Sequence, residues 1–286
     1  MHLPVECGNP IMPFDFQAYI ARQKPVGAPR VVVQNYAYVE DMRRLRQLSE
    51  VPLLSSALLK ALKAWSFTDR IRIRRSSKPI KYDKRSAQIW HEVCAAMHTE
   101  EREALIIPDQ KTYFEPYTDG NETFFGLSPS CCVLPTSSMR FVFGRAIGAV
   151  VNGHVRYMTL SRFIDRLTHG FYGKATLFAD ALLHWQSSAA ITQDRAGLLA
   201  SRDFSAAMFM IMKSVLDWSD EEIMNEIRRY HAHENVDYGE SDVEKRISSL
   251  EVFTKSSLYA QHCGQSTTGS LSMTEVDEKV LKIMIW

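Results

Sequence analysis

Few of the 286 residues of this protein could do chemistry, and their spacing defeats most of the chemistry they suggest. Tyr230-His-Ala-His233 holds the tightest histidine pair. On a strand both imidazoles would share a face, but on the helix expected here they sit about 200° apart and read as surface histidines. His91 and His98 could share a helical face, yet no carboxylate is spaced to complete a metal site. Ser187 and Ser188 lie near His184 without a nucleophile-elbow pattern, which argues against a serine hydrolase. No glycine-rich phosphate or dinucleotide loop occurs. What remains is an apolar run, Phe141-Val-Phe-Gly-Arg-Ala-Ile-Gly-Ala-Val-Val-Asn-Gly-His154, with one cation, Arg145, inside it. Positions 145 and 149 of a helix lie within about 40° of each other, and His154 about 180° from Arg145. His154 is therefore expected to face away, as a helix-end imidazole near backbone carbonyls.

That run resembles the active-site helix of M48-type zinc metallopeptidases, in which His-Glu-x-x-His is often followed by a small polar linker and Gly-His. In that family the two His hold Zn²⁺ and the Glu activates the metal-bound water. Here the five positions read Arg145-Ala146-Ile147-Gly148-Ala149. A second stretch, Ala190-Ile-Thr-Gln-Asp194-Arg-Ala-Gly197, is similar to the family's third-ligand helix. Ala190 stands at the Glu position, while Asp194, Arg195, Ala196 and Gly197 are kept. Asp242-Val-Glu-Lys-Arg246-Ile-Ser-Ser-Leu250-Glu-Val-Phe253 resembles the family's closing helix with its Arg-x-x-x-Leu. The loop before it, Val236-Asp-Tyr-Gly-Glu240, lacks the family's His-Pro.

The resemblance covers residues 36 to 260 loosely and 139 to 200 well. It implies an α+β, mainly helical, zincin-like domain with a small sheet against the active-site helix. It also implies no catalytic residue, only vestigial positions at Arg145, Ala146, Ala149 and Ala190, and no bound metal where the family uses zinc. Arg145 puts a permanent cation where the family has a metal-bound His, and Asp194 is the expected counter-ion, so an ion pair would staple the two helices that zinc would bridge. Arg145, Asp194 and Arg246 are the expected binding residues. The function so implied is a catalytically inactive pseudopeptidase that holds a peptide or protein partner, or regulates an active metallopeptidase relative. The alternative is a zinc-dependent metalloendopeptidase with a rebuilt or engineered-out site. Alanine at 146, 149 and 190 is what deliberate inactivation leaves, whereas Arg145 and the missing His-Pro favour a natural pseudoenzyme.

Composition bounds the rest. With 45% hydrophobic and 23% charged residues the sequence reads as an ordinary globular protein. Its 34 basic and 33 acidic side chains create no global field for nucleic acid or anionic membrane. No stretch approaches the roughly 20 apolar residues needed to span a bilayer, so no membrane partner is expected. The first residues, Met1-His-Leu-Pro-Val-Glu-Cys-Gly8, lack a basic region followed by an apolar one and do not read as a signal peptide. A cytoplasmic location is the expectation. Five cysteines, with Cys131 and Cys132 adjacent, fit reduced thiols better than a disulfide framework.

Several elements are expected to position these residues. Residues 1–35 read as an extended arm, with a helical turn around Phe14 to Arg22 and a short strand at Val31-Val-Val. Residues 36–262 form the M48-like domain, of which 36–100 are an N-terminal extension with helices over Tyr36 to Gln47, Leu53 to Trp65 and Ser86 to Met97. Arg70-Ile-Arg-Ile-Arg-Arg75 alternates as a strand, with Ile71 and Ile73 inward and its arginines in water. As a nucleic-acid site it would be phosphate-directed and unspecific, with Tyr82 as the only nearby aromatic, so nucleic acid is not the expected partner. Ala104 to Ile107, Thr112 to Phe114, Thr123 to Phe125 and Cys131 to Leu134 read as strands between turn signals. In the zincin-like sheet that the resemblance implies, one edge strand would take an extended peptide by β-addition. Pro135-Thr-Ser-Ser138 offers hydroxyl caps for a helix over Ser138 to His154. Further helices are expected over Leu160 to Leu167, Lys174 to Ala200, Phe204 to Leu216, from Ser219 onward, and over Asp242 to Phe253. Residues 263–286 read as a mobile linker and a short amphipathic helix.

Overall fold

The computed structural model describes residues 35–50, 72–108, 110, 113–118, 122–168, 176–233 and 241–285. The arm with its turn and strand, the helix over Leu53 to Trp65 and the loop Val236 to Glu240 lie outside these residues. Helix α1 (Val39–Ser49) starts later than expected, because Tyr38 is extended and both Tyr36 and Tyr38 are buried as a lead-in. Residues 72–76 are helical, not a strand. Two isoleucines are too few for period two to exclude a helix, and Ile73 is buried in the helical geometry. Of the basic side chains in and after this stretch, Arg74 pairs with Glu103 at 2.6 Å and Arg85 donates to the carbonyls of Cys132 and Leu134.

Strand β1 (Lys78–Pro79) leads into α2 (Lys84–Ala96), whose first turn is capped by Asp83 accepting from the Ser86 N–H. Strands β2 (Ala104–Ile106), β3 (Phe114–Thr118) and β4 (Thr123–Leu127) complete a mixed sheet in the order β1-β2-β4-β3, with β2 and β4 parallel and the other pairs antiparallel. The inner face presents Phe114 and Phe125, stacked 5.2 Å apart, to Trp90 and Phe143. The outer face, with Leu105, Ile107 and Phe124, is covered by Ile73. Pro129–Val133 is a 3₁₀ turn, not the strand expected at Cys131 to Leu134: Ser128 caps it by accepting from the Cys131 N–H, and Pro129 suits its first turn.

The sheet has two edge strands, the two-residue β1 and the five-residue β3, and β3 is the one beside α3 (Thr136–Val151). Phe125 N–H donates to Glu103 O at 2.8 Å and Ile107 N–H to Leu127 O at 2.7 Å, so Phe125 and Leu127 face β2. Their partners Phe114 and Pro116 therefore turn their backbone groups to the free edge. Pro116 has no N–H to offer there, and its carbonyl accepts from Arg162.

Helix α3 (Thr136–Val151) lies against this sheet, its start carrying Pro135 instead of the expected hydroxyl cap. It is followed by α4 (Val155–Thr168) and the 26-residue α5 (Thr176–Ser201). Helix α6 (Phe204–Val215) buries Met208, Met210 and Met212 as core filler. Helix α7 (Asp220–His231) opens with a capping box in which Ser219 and Glu222 satisfy each other's backbone N–H. Helices α8 (Ser241–Thr254), α9 (Ser257–His262) and α10 (Met273–Ile285) follow. Residues 264–269 are exposed, but α10 packs on α8 and sinks Val276 and Val280 into the same core cluster as Phe143 and Phe253. The protein is thus mainly helical with one small sheet, and no described helix is long and apolar enough to cross a membrane.

Candidate functional site

The site is set by how closely α3 and α5 cross. Gly144 and Gly148 form one small-residue stripe on α3, and Ala196, Gly197 and Ala200 answer it from α5. A Cβ on Gly144 would stand 2.5 Å from Ala200 Cβ, and one on Gly148 2.5 Å from Ala196 Cβ, so only glycine permits this approach. The crossing brings Arg145 of α3 beside Asp194 of α5. Arg145 Nε lies 2.8 Å from Asp194 Oδ1, at ion-pair distance but off the line of the N–H. The expected staple is therefore present, and it has a third member. Arg246 of α8 donates Nε to Asp194 Oδ2 at 2.7 Å and Nη2 to Oδ1 at 2.8 Å. Asp194 is fully buried, while Arg145 keeps 23% of its side chain exposed.

Burial pushes the Arg145 guanidinium down to about 10; Asp194 opposes that drop and Arg246 adds to it. It remains a cation at neutral pH. Burial also works against the Arg246 charge, but Asp194 outweighs it and holds this guanidinium above its ordinary value.

Arg145, Ala146 and Ala149 line one pocket of about 500 Å³ whose other walls include Tyr113 to Pro116 beside and on edge strand β3. Ala190 is not among the lining residues; Gln193, on the next turn of α5, is. Positions 145, 146 and 149 thus share a cavity, with 190 standing back from it. Inside that cavity Ala146 offers no base and Ala149 no lone pair. Its carboxylate, Glu115, is tied to Arg162 at 2.9 Å. Among the described residues no three His, Cys, Asp or Glu side chains gather as a metal site. Burial raises the thiols of Cys94, to about 12, and of Cys131 and Cys132, so none of these is an activated nucleophile.

The other histidine candidates separate as well. His231 Nε2 meets Ser205 Oγ at 2.9 Å, while His233 lies beyond the helix with φ 57°. His91 pairs with Glu101 at 2.9 Å, and His98 sits past the end of α2 with φ 49°. Ser187 and Ser188 donate to the carbonyls of Leu183 and His184 on their own helix.

His154 corrects the sequence reading. It lies past the end of α3, fully buried, not among helix-end carbonyls but in a polar cluster with α1 and α5. Its Nε2 is 3.0 Å from Asp41 Oδ2, and Gln193 Nε2 donates toward its Nδ1 at 3.2 Å. Asp41 also accepts from Trp185 Nε1 at 3.0 Å and from the Thr192 hydroxyl. The signal was readable in α1, where Asp41 shares a helical stripe with Leu45 and Leu48: a carboxylate on an apolar stripe demands a buried partner. Compared with known proteins, the sequence and its fold match no family model, no curated protein and no solved structure.

Proposed function

We propose that this protein is a catalytically inactive, M48-like pseudopeptidase whose pocket holds a peptide or protein segment without cleaving it. One observation carries the reading: Arg145, Ala146 and Ala149 line a single pocket bounded by α3 and the edge strand of the sheet. In the zincin scaffold that the sequence resembles, these positions belong to one metal ligand, the general base and the second ligand, and an edge strand guides the substrate. Two methyl groups and a guanidinium can neither coordinate a dication nor activate water. The concave space is kept, and a held segment is what such a space still suits.

The edge strand supports a short segment over a long one. Pro116 lacks a donor and its carbonyl is engaged by Arg162, so strand addition is limited to the Phe114 end, beside the pocket. The test has two parts. Wild-type protein incubated with a random peptide library should retain members and return them uncut; cleavage would overturn the inactive reading. A variant carrying Arg145→His, Ala146→Glu, Ala149→His and Ala190→Glu, folded by circular dichroism, should take up stoichiometric zinc where the parent does not. A folded variant that binds none would remove the M48-like frame.

A further inference from the structure

The pocket carries one cation whose terminal nitrogens are left without a direct partner by the described residues around it. Glu115 is paired with Arg162 at 2.9 Å, and Lys213 with Asp220 at 2.6 Å. Asp194 must serve two guanidiniums, and Arg246 has taken both of its oxygens. Arg145 reaches Asp194 through Nε alone, and its two terminal nitrogens have no hydrogen-bond or ion-pair partner among the described residues. Within the Arg145–Asp194–Arg246 group the charges sum to +1, with Asp242 acting on Arg246 and Glu115 on Arg145 from outside it but neither paired with the Arg145 terminal nitrogens. Of its three members, Arg145 is the one that lines the cavity.

A guanidinium presents its donors as a planar fork that matches the two oxygens of a carboxylate, and a partly desolvated site strengthens such a pair. The walls near it supply neutral hydrogen-bonding groups in Tyr113, Ser130 and Ser214 and apolar surface in Val142 and Met210, with no unpaired carboxylate to repel an anion. We infer that Arg145 anchors a carboxylate of the bound peptide, with Asp194 and Arg246 acting as positioning residues that hold its stem. This inference rests on the peptide-holding role proposed above and names the chemistry that the pocket selects. The carboxylate is either the peptide's own C-terminus or an Asp or Glu side group.

Three pools of random hexapeptides separate these sources. The first has free C-termini and no Asp or Glu, the second has amidated C-termini and includes Asp and Glu, and the third has amidated C-termini and lacks both. Wild-type protein should retain the first or the second pool about ten-fold more than the third, as expected for one charge-assisted fork, and the favoured pool names the source. Arg145→Gln, which leaves the Asp194–Arg246 pair in place, should abolish the preference while the protein stays folded. Equal retention of all three pools by wild-type protein would overturn the carboxylate anchor and leave peptide holding intact. Retention of none would overturn both. The wild-type comparison decides the matter even if the variant fails to fold.

Discussion

Arg246 holds both carboxylate oxygens of Asp194, Nε to Oδ2 at 2.7 Å and Nη2 to Oδ1 at 2.8 Å, so the acid on α5 is committed before Arg145 adds its single contact. The three side chains are not equivalent. Removing the carboxylate strands two guanidiniums, whereas removing Arg145 leaves a complete bidentate pair. Asp194→Ala should cost about 3–5 kcal/mol, and Arg145→Met about 1 kcal/mol or less, since its partner keeps a better ligand and its own head is partly exposed. Urea denaturation of the two variants checks this. Equal losses would mean that Arg145, not Arg246, is the principal partner of Asp194.

The crossing of α3 and α5 makes a second prediction. Alanine is a better helix former than glycine by about 1 kcal/mol, so propensity alone says that Gly148→Ala stabilises. Packing says the opposite, because the new Cβ would lie 2.5 Å from Ala196 Cβ and the helices would have to part. The overpacking should win by about 1–3 kcal/mol. Adding Ala196→Gly removes the opposing methyl and should recover much of the loss, which a double-mutant cycle in thermal unfolding would read as coupling. Additive losses would place the helices too far apart for these two positions to touch.

These two relationships also mark what the amino-acid order makes legible. The helices of the site follow from long periodic runs, and the Arg145–Asp194 contact follows from the spacing of two stretches that resemble one family. Arg246 lies on the third such stretch, yet its grip on both oxygens of Asp194 depends on how α8 is set against α5, which no local pattern encodes. The Asp41–His154 cluster is legible only from one side: Asp41 on the apolar stripe of α1 calls for a buried partner, but which residues answer it, from the end of α3 and from α5, is decided by packing between segments distant in sequence. The differences at residues 72–75 and 131–134 have a local cause. Segments this short fit several backbones whatever their pattern, and the choice falls to the sheet face that Ile73 covers and to the cap that Ser128 supplies.

The C-terminal helix should act as a clamp. Arg195 is fully buried, with Nη2 on Asp277 Oδ1 at 2.8 Å, Nη1 on the Tyr36 carbonyl at 3.1 Å, and the rings of Tyr38 and Phe253 within 5.4 Å of its Cζ. The other Asp277 oxygen accepts from the Val39 N–H at the start of α1. Asp277→Ala leaves a buried cation without its counter-ion and should cost about 3–5 kcal/mol, together with faster amide exchange in the first turn of α1. Arg195→Met in the same background should recover part of the loss by removing the stranded charge. Unchanged exchange at Val39 would separate α1 from α10.

His262 gives the protein a defined acid sensitivity. Burial, then the nearby Arg202 charge, push this imidazole down to about 4 from the ordinary 6.5, against the pull of the Leu199 carbonyl. At 2.6 Å that carbonyl accepts the Nε2 proton, which leaves Arg202 Nε, 3.2 Å away, as a positive neighbour in place of a donor. The sign follows from which state binds the proton. Between pH 6.5 and 4 the unfolded state takes it up and the folded state does not, so stability present above pH 6.5 falls as pH falls and levels off below about 4. The full loss from this one group is about 3 kcal/mol. His262→Gln replaces it with a side chain that does not titrate and can still donate to Leu199. Unfolding free energies of both proteins measured from pH 7 to pH 4 should converge with acid, the wild type losing more over that window. Parallel curves would mean that His262 takes up its proton without unfolding, so that the contact with Arg202 opens in acid and the end of α5 moves away from α9.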